Sequence, residues 1–513
     1  MRNPPNLSNE QNLALERAGK MMEAGDFNTA STYLEGAKVT KGRAWRMLLR
    51  CYFQTHRFED LTSTYETMSA EHKGDLVSRY LYVAAAANMN RPDAVKQVVE
   101  EVLGEPDSPA AAEFLTKAYP FLRGVNAQVR KAVIRRIETH STELTAGYFD
   151  LLLKCSHDLQ ERGWQAEAAK LEIALKLAAT SGLRSEKLEI YNAQLHFWNG
   201  RYDLQLAGVN NVLNSHNLDL VGLIDESSPL SCENLETNSS LNKSVSGPLV
   251  SILMPAYNSS QTIAYAMESI RRQTYHDLEL IVVNDGSNDD TAQIIADFSA
   301  VDTRFRVISL QRNEGTFVAR NIALAAARGE FVTNQDADDW AHPEKIETAV
   351  TELQTDKSII ATWVQHVRCS SHKGFRALSG YIRPDASSLM FRRRPVMEKI
   401  GWYDSVRAAG DGEFHLRMER AFGSQSIRLL NKLLSFVNWS ENSLSGDGVF
   451  RIDNDLGIYS PVRSSYRHAF GVWHETADPL YMPFPLDRRP FPVPDSILPS
   501  EGSEFRPKIR GLG

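Results

Sequence analysis

The sequence predicts two architectures in one chain: an all-helical first half, then an α/β half built on a mostly parallel sheet. Three observations predict this. From about Asn9 to Asn217 the chain is rich in Ala, Leu, Glu and Lys, and segments such as Ala14–Ala24, Ala44–Phe53 and Val129–Ile137 place apolar residues three and four apart, the spacing of amphipathic helices. After Pro248 nearly continuous apolar runs begin, as in Leu249–Met254, which suit strands buried on both faces of a parallel sheet. Those runs alternate with helical patterns, and such alternation implies right-handed βαβ units.

At 513 residues the chain has room for two or three domains. A formal net charge of −7 gives no global attraction to nucleic acid or anionic lipid. The four cysteines, Cys51, Cys155, Cys232 and Cys369, lie far apart without a Cys-x-x-Cys pair. That argues against a thiolate metal site or a disulfide framework and fits a reducing compartment. Met1–Glu10 lacks the apolar core of a secretory signal, and no apolar run is long enough to span a bilayer. A cytoplasmic chain is expected, with at most peripheral contact at the inner face of a membrane.

The helical domain is read as residues 1–222. A weak repeat marks its turns: Gly25-Asp-Phe27 is followed by Ala30, Gly163-Trp164 by Ala168, and Gly200-Arg-Tyr202 by Ala207. Glycine suits the left-handed end of a helix, the aromatic packs under the turn, and the small residue lets the next helix approach. The pattern resembles tetratricopeptide-type helical hairpins, although the spacing is irregular and a plain helical bundle stays open. No catalytic constellation appears here, so this domain is expected to dock a protein partner. Residues 223–248, polar and rich in Ser and Asn, read as a linker.

The α/β domain is read as residues 249–478. Leu249–Met254 is its first strand, followed by a helix with Ile263, Met267 and Ile270 on one face. Leu278–Val283 is the second strand and Thr291–Phe298 the second helix. Phe305–Ser309, a helix over Phe317–Ala327, and the strand Phe331–Thr333 follow. The Pro- and Arg-rich residues 479–513 read as an extended segment packed on the surface.

In parallel sheets ligands bind outside the carboxyl ends of the strands, and the polar residues of this domain fall there. They are Pro255-Ala256-Tyr257-Asn258, Asn284-Asp285-Gly286-Ser287, Arg312-Asn313-Glu314-Gly315 and Asp336-Ala337-Asp338-Asp339. Asp336 and Asp338, two apart in extended backbone, point the same way. Two converging carboxylates repel unless a cation lies between them, and hard oxygen ligands suit Mg²⁺ or Mn²⁺. A solvated acidic turn is the plain alternative. The rest fits a sugar nucleotide. Tyr257 offers a ring face to a base, Asp285 an acceptor to base or ribose, Gly315 a close backbone approach, and Arg320 a partner for carboxylate or phosphate. No Gly-x-x-x-x-Gly-Lys-Ser/Thr or Gly-x-Gly-x-x-Gly loop is present, which counts against kinases and dinucleotide oxidoreductases.

The blocks Pro-Ala-Tyr-Asn, Val-Asn-Asp-Gly-Ser, Asn-Glu-Gly-Thr-Phe-Val-Ala-Arg-Asn and Asp-Ala-Asp-Asp, in that order, resemble the family 2 glycosyltransferases, inverting enzymes of the GT-A fold. The resemblance runs from about Val250 to Asn438. It implies that Pro255, Ala256, Tyr257 and Asp285 hold the donor nucleoside. It also implies an Asp-x-Asp motif, with Asp336 near the ribose and Asp338 on the metal. The family's catalytic base is the Asp of a Glu-Asp pair at a helix start. Here Gly410 replaces the Glu, Asp411 remains, and Glu413 follows as a second candidate. A late histidine often completes the metal shell in this fold, which makes His474 a candidate ligand. Trp439–Ser445 reads as a loop over the donor. The processive Gln-x-x-Arg-Trp motif is missing.

The function implied is metal-dependent transfer from a nucleotide-sugar donor to a glycan or lipid-linked acceptor, in surface polysaccharide synthesis of the capsule or lipopolysaccharide kind. The rivals are an inactive transferase-like scaffold acting through the helical domain, against which the intact Asp336, Asp338 and Asp411 speak, and a sugar nucleotidyltransferase, which needs a basic, Gly-rich loop after its first strand.

Overall fold

The structure is a computed structural model and describes residues 9–23, 27–38, 43–122, 125–179, 182–237, 244–376, 380–440, 448–450, 452–453 and 458–506. It divides into two compact units, Met1–Thr180 with Asp455–Ile458, and Ser181–Asn454 with Tyr459–Gly513.

The first unit, among the described residues before Thr180, is helical from Asn9–Glu23 to Gln165–Ala178. Helices adjacent in sequence pack on one another, as Gln165–Ala178 does on Ser141–Glu161. Ala30 and Ala168 are fully buried, and Gly163 is left-handed at φ +73°. These are the small-residue and glycine positions the repeat assigned, while Gly25 and Asp26 lie outside the described residues.

The second unit opens with two more helices, Leu183–Trp198 and Tyr202–Ser215, joined at left-handed Gly200. They were expected to belong to the helical domain, yet they cluster with the sheet. The third repeat also shifts by one residue. Ala207 faces solvent, and Gly208 is the close-approach position, where an added β-carbon would sit 3.0 Å from that of Ala193.

The stretch read as a linker instead carries an antiparallel ladder, Val221–Leu223 with Leu235–Thr237. Leu230, Cys232 and Leu235 are buried, and the Cys232 thiol donates to the Phe436 carbonyl at 3.2 Å. Residues 238–243 of that stretch lie outside the described residues.

The main sheet uses β1 (Val250–Ala256), β2 (Leu278–Asn284), β3 (Phe305–Ser309), β4 (Phe331–Asn334), β5 (Trp340–Ala341), β6 (Ala361–Ser370), β7 (Met390–Arg392) and β8 (Ile427–Asn438). Their spatial order is β3-β2-β1-β4-β7-β6-β8-β5. The first four are mutually parallel, β7 is antiparallel to both neighbours, β8 is parallel to β6, and β5 is antiparallel to β8. The βαβ part therefore matches the expectation, and a mixed half extends it.

Apolar period two explains why both faces are covered. Ile252 and Met254 of β1 join one buried cluster while Leu253 joins the other, and Leu280 and Val282 of β2 oppose Ile281 and Val283 in the same way. The first face is covered by α1 (Ile263–Arg271), α2 (Thr291–Val301) and, further along, α4 (Lys345–Thr355). The second is covered by α3 (Thr316–Ala326), α5 (Gly410–Phe422) and α6 (Pro461–Thr476). Among the described residues no helix is long and apolar enough to cross a membrane.

Candidate active site

The carboxyl ends of β1, β2 and β4, with the loop after β3, form one polar rim. Pro255 and Ala256 end β1, and Tyr257 beyond them is 47% exposed. Asn258 takes a left-handed φ of +48°. Its N–H donates to Ser287 Oγ at 3.0 Å, and its side-chain oxygen accepts from the Asn288 N–H at 2.9 Å. The first two loops are thereby knitted together.

Asp285 sits beneath this junction at 2% exposure. Its N–H donates to the Ala256 carbonyl at 2.8 Å. Its two oxygens accept from the backbone N–H groups of Glu314 at 2.8 Å and Gly315 at 2.9 Å. Burial raises its pKa despite those amides. The carboxylate expected to face a nucleoside thus accepts two amides of the third loop and fixes that loop's backbone. Gly315, at φ +101°, starts α3.

One turn into α3, Arg320 is 3% exposed and lies over the Phe317 ring, 4.9 Å from its centroid. Its Nη2 donates to Asp336 Oδ1, while its buried Nε has no partner. Burial works to lower the Arg320 pKa, but the negative charges of Asp336 and, further off, Asp411 more than offset it. One guanidinium therefore lies within the field of both the Asp-x-Asp turn and the candidate base.

Burial and the neighbouring Asp336 push the Asp338 carboxyl up to about 7, and its carbonyl accepts from the Tyr265 hydroxyl at 2.9 Å. Ala337, expected at the donor, is 6% exposed and belongs to the core beneath the turn. Asp339 is buried, accepts from the Asn438 N–H at 2.9 Å, and so ties the turn to the end of β8.

Helix α5 begins after Ala409, which is left-handed at φ +65°. Gly410 faces the ring of Phe317 so closely that a β-carbon there would lie 2.9 Å from ring atoms. A glutamate in its place would press against that ring. Asp411 is half-buried and accepts the Gly412 N–H at 2.8 Å.

Glu413, the second candidate base, has no exposure at all. Arg417 donates to its two oxygens at 2.8 and 2.9 Å, and His474 Nε2 lies 2.8 Å from the first of them. Burial alone would raise its pKa, but Arg417 and His474 outweigh that and lower it. His474, expected as a metal ligand, is buried and engaged with Glu413. Among the described residues no group of three or more His, Cys, Asp or Glu side chains is placed to hold a metal.

Sequence reading missed Arg417, although its spacing of four from Glu413 on a helix is an ion-pair signal. It also missed Asn334 and Tyr403, whose amide and hydroxyl meet at 3.0 Å under the rim and leave the Asn334 oxygen unpartnered. Residues 441–445 of the expected donor loop lie outside the described residues.

Residues 251–405, which span β1 to the approach of α5, match the family model described as Glycosyl transferase family 2. They are a family 2 glycosyltransferase domain. The chain is 31% identical over 257 residues to a chondroitin synthase of Escherichia coli, covering 45% of this chain and 37% of that protein. It is 43% identical over 100 residues to the putative glycosyltransferase EpsH of Bacillus subtilis strain 168, covering 20% of this chain and 29% of that one. The chain thus spans well under two thirds of these relatives' length. Among solved structures, the glycosyltransferase domain is similar to S. aureus TarS 1-349 in complex with UDP-GlcNAc. That match has 21% identity and a TM-score of 0.33, and covers 38% of this chain and 60% of that one.

Proposed function

We propose that the chain is a metal-dependent inverting glycosyltransferase that moves a sugar from a nucleotide-sugar donor to a glycan or lipid-linked acceptor during surface polysaccharide synthesis. The observation that carries this reading is Arg320, buried at the strand-end rim and bonded to Asp336 of the Asp-x-Asp turn. The relatives' printed names support the polysaccharide setting. On this reading the protein works on the cytoplasmic side, at most peripheral to the membrane.

Tyr257 stacks the base, and the loops locked by Asp285 present backbone to the ribose and diphosphate. Asp411 takes the proton of the acceptor hydroxyl as that oxygen attacks the anomeric carbon and the bond to the diphosphate breaks. Attack on the face opposite the leaving group inverts the configuration. Asp338 and Asp336 are the hard-oxygen donors that would hold a divalent cation, one at each side of the same turn. When bound there, Mn²⁺ or Mg²⁺ supplies Lewis-acid stabilisation of the departing diphosphate.

The test is to incubate the purified chain with a panel of nucleotide sugars and Mn²⁺, with and without EDTA. Metal-dependent release of nucleoside diphosphate is expected, and Asp338→Ala should abolish it. A wild-type chain that binds no nucleoside diphosphate would sink the reading.

A further inference from the structure

The third rim loop is held from a segment far down the chain. Glu314 is 6% exposed, and its Oε1 accepts from Arg312 Nε at 2.8 Å. Its other oxygen accepts from the hydroxyl of Ser503. Around this contact Arg312 Nη2 donates to the Gly502 carbonyl, and Ser500 Oγ donates to the Asn313 carbonyl at 3.3 Å. The Arg407 N–H donates to the Ile497 carbonyl at 2.8 Å, and Arg407 Cγ is the first atom a β-carbon on Gly315 would meet, at 3.4 Å.

The strap that makes these contacts is itself anchored. Phe491, Ile497 and Leu498 are buried in the core, and Arg489 binds the fully buried Asp404 at 2.6 and 2.7 Å. The loop it grips is the one whose two backbone amides are spent on Asp285. Withdrawing the Ser503 hydroxyl leaves a buried Glu314 oxygen unsatisfied, and a buried charged acceptor in that state moves toward water or another donor. Glu314 is also the residue whose own N–H binds Asp285, so its movement loosens the junction of all three loops.

We propose that Ser503, acting through Glu314, is a positioning residue for the nucleotide half of the donor site. The C-terminal strap, outside the family 2 match at 251–405, thereby sets donor affinity. This rests on the reading of the strand-end rim as a nucleotide-sugar site.

The experiment measures binding of UDP, GDP, CDP, ADP and dTDP with Mn²⁺ to the full chain by calorimetry, then donor KM and kcat with the nucleotide sugar that binds. Wild type, Ser503→Ala, Ser503→Thr and a chain ending at Pro499 are compared, with thermal midpoints alongside. Ser503→Ala should raise Kd and KM about tenfold, equivalent to about 1.4 kcal/mol, with kcat unchanged and the thermal midpoint lowered by only the few degrees that one unsatisfied buried acceptor costs. Ser503→Thr, which keeps the hydroxyl, should bind like wild type. Wild-type affinity in Ser503→Ala, or a loss confined to kcat, overturns the proposal while leaving the rim reading intact. Absence of binding to every diphosphate in wild type overturns the rim reading, and the proposal falls with it.

Discussion

Arg417 grips Glu413 one turn earlier on the same helix through parallel hydrogen bonds of 2.8 and 2.9 Å, and neither side chain has any exposure. The remaining donors of Arg417 reach the carbonyls of Ile400 and Trp402, at 2.5 and 2.6 Å. The loop leading into α5 is therefore fixed to the helix that presents Asp411.

Two neighbouring acids should for this reason respond differently. Glu413→Gln leaves a buried guanidinium without its charge partner and should cost about 3–5 kcal/mol of stability by denaturant titration. Asp411→Asn should unfold like wild type, bind nucleoside diphosphate normally, and lose about 10²–10⁴-fold in turnover. Normal turnover in Asp411→Asn would remove it as the base.

Restoring the family's glutamate is expected to harm the protein. Gly410→Glu drives a side chain into the Phe317 ring, and overpacking of this kind costs about 1–3 kcal/mol. Pairing it with Phe317→Ala should recover part of the loss. A Gly410→Glu chain as stable as wild type would show that the ring is free to move aside.

Arg320→Gln should act on both binding and stability. Asp336 then faces Asp338 without its cation, and affinity for nucleoside diphosphate with Mn²⁺ should fall about tenfold or more. Asp336 is 33% exposed, so the stability cost should stay near about 1–3 kcal/mol, below that of a fully buried pair. Calorimetry and denaturation read the two effects separately.

Acid should destabilise the second unit through Glu279. Burial would raise its pKa, but hydrogen bonds from Ser251, the Arg328 backbone, Arg306 and the Arg328 side chain hold it at about 2, against an ordinary value of 4.5. A folded-state value below the unfolded one stabilises at neutral pH. That contribution fades as pH falls from about 4.5 towards about 2. Glu279→Gln should flatten the stability profile across this window, and an unchanged profile would contradict the assignment.

How far the sequence reached can be seen residue by residue. The four parallel strands and the helices between them were legible because apolar period and turn chemistry are local properties. The rim followed from them, since strand ends carry their polar residues in chain order. The stretch 223–237 misled because its few apolar residues, Leu230, Cys232 and Leu235, are too sparse to show a period, yet each finds a buried place. Gly208 rather than Ala207 at the helix crossing depends on a rotation of one residue that composition does not encode.

The spacing of the Asp-x-Asp pair was readable by itself, but the extended backbone expected between them is a turn, closed by the Asp339 N–H on the Asp336 carbonyl at 3.3 Å. Only the tertiary structure decided that Asp411 is left open while Glu413 is sealed by Arg417 and His474. Only it placed Ser503 against Glu314, 189 residues away in sequence. A carboxylate's chemistry depends on which charges and donors surround it in space, and packing brings those partners from parts of the chain where spacing carries no trace of the meeting.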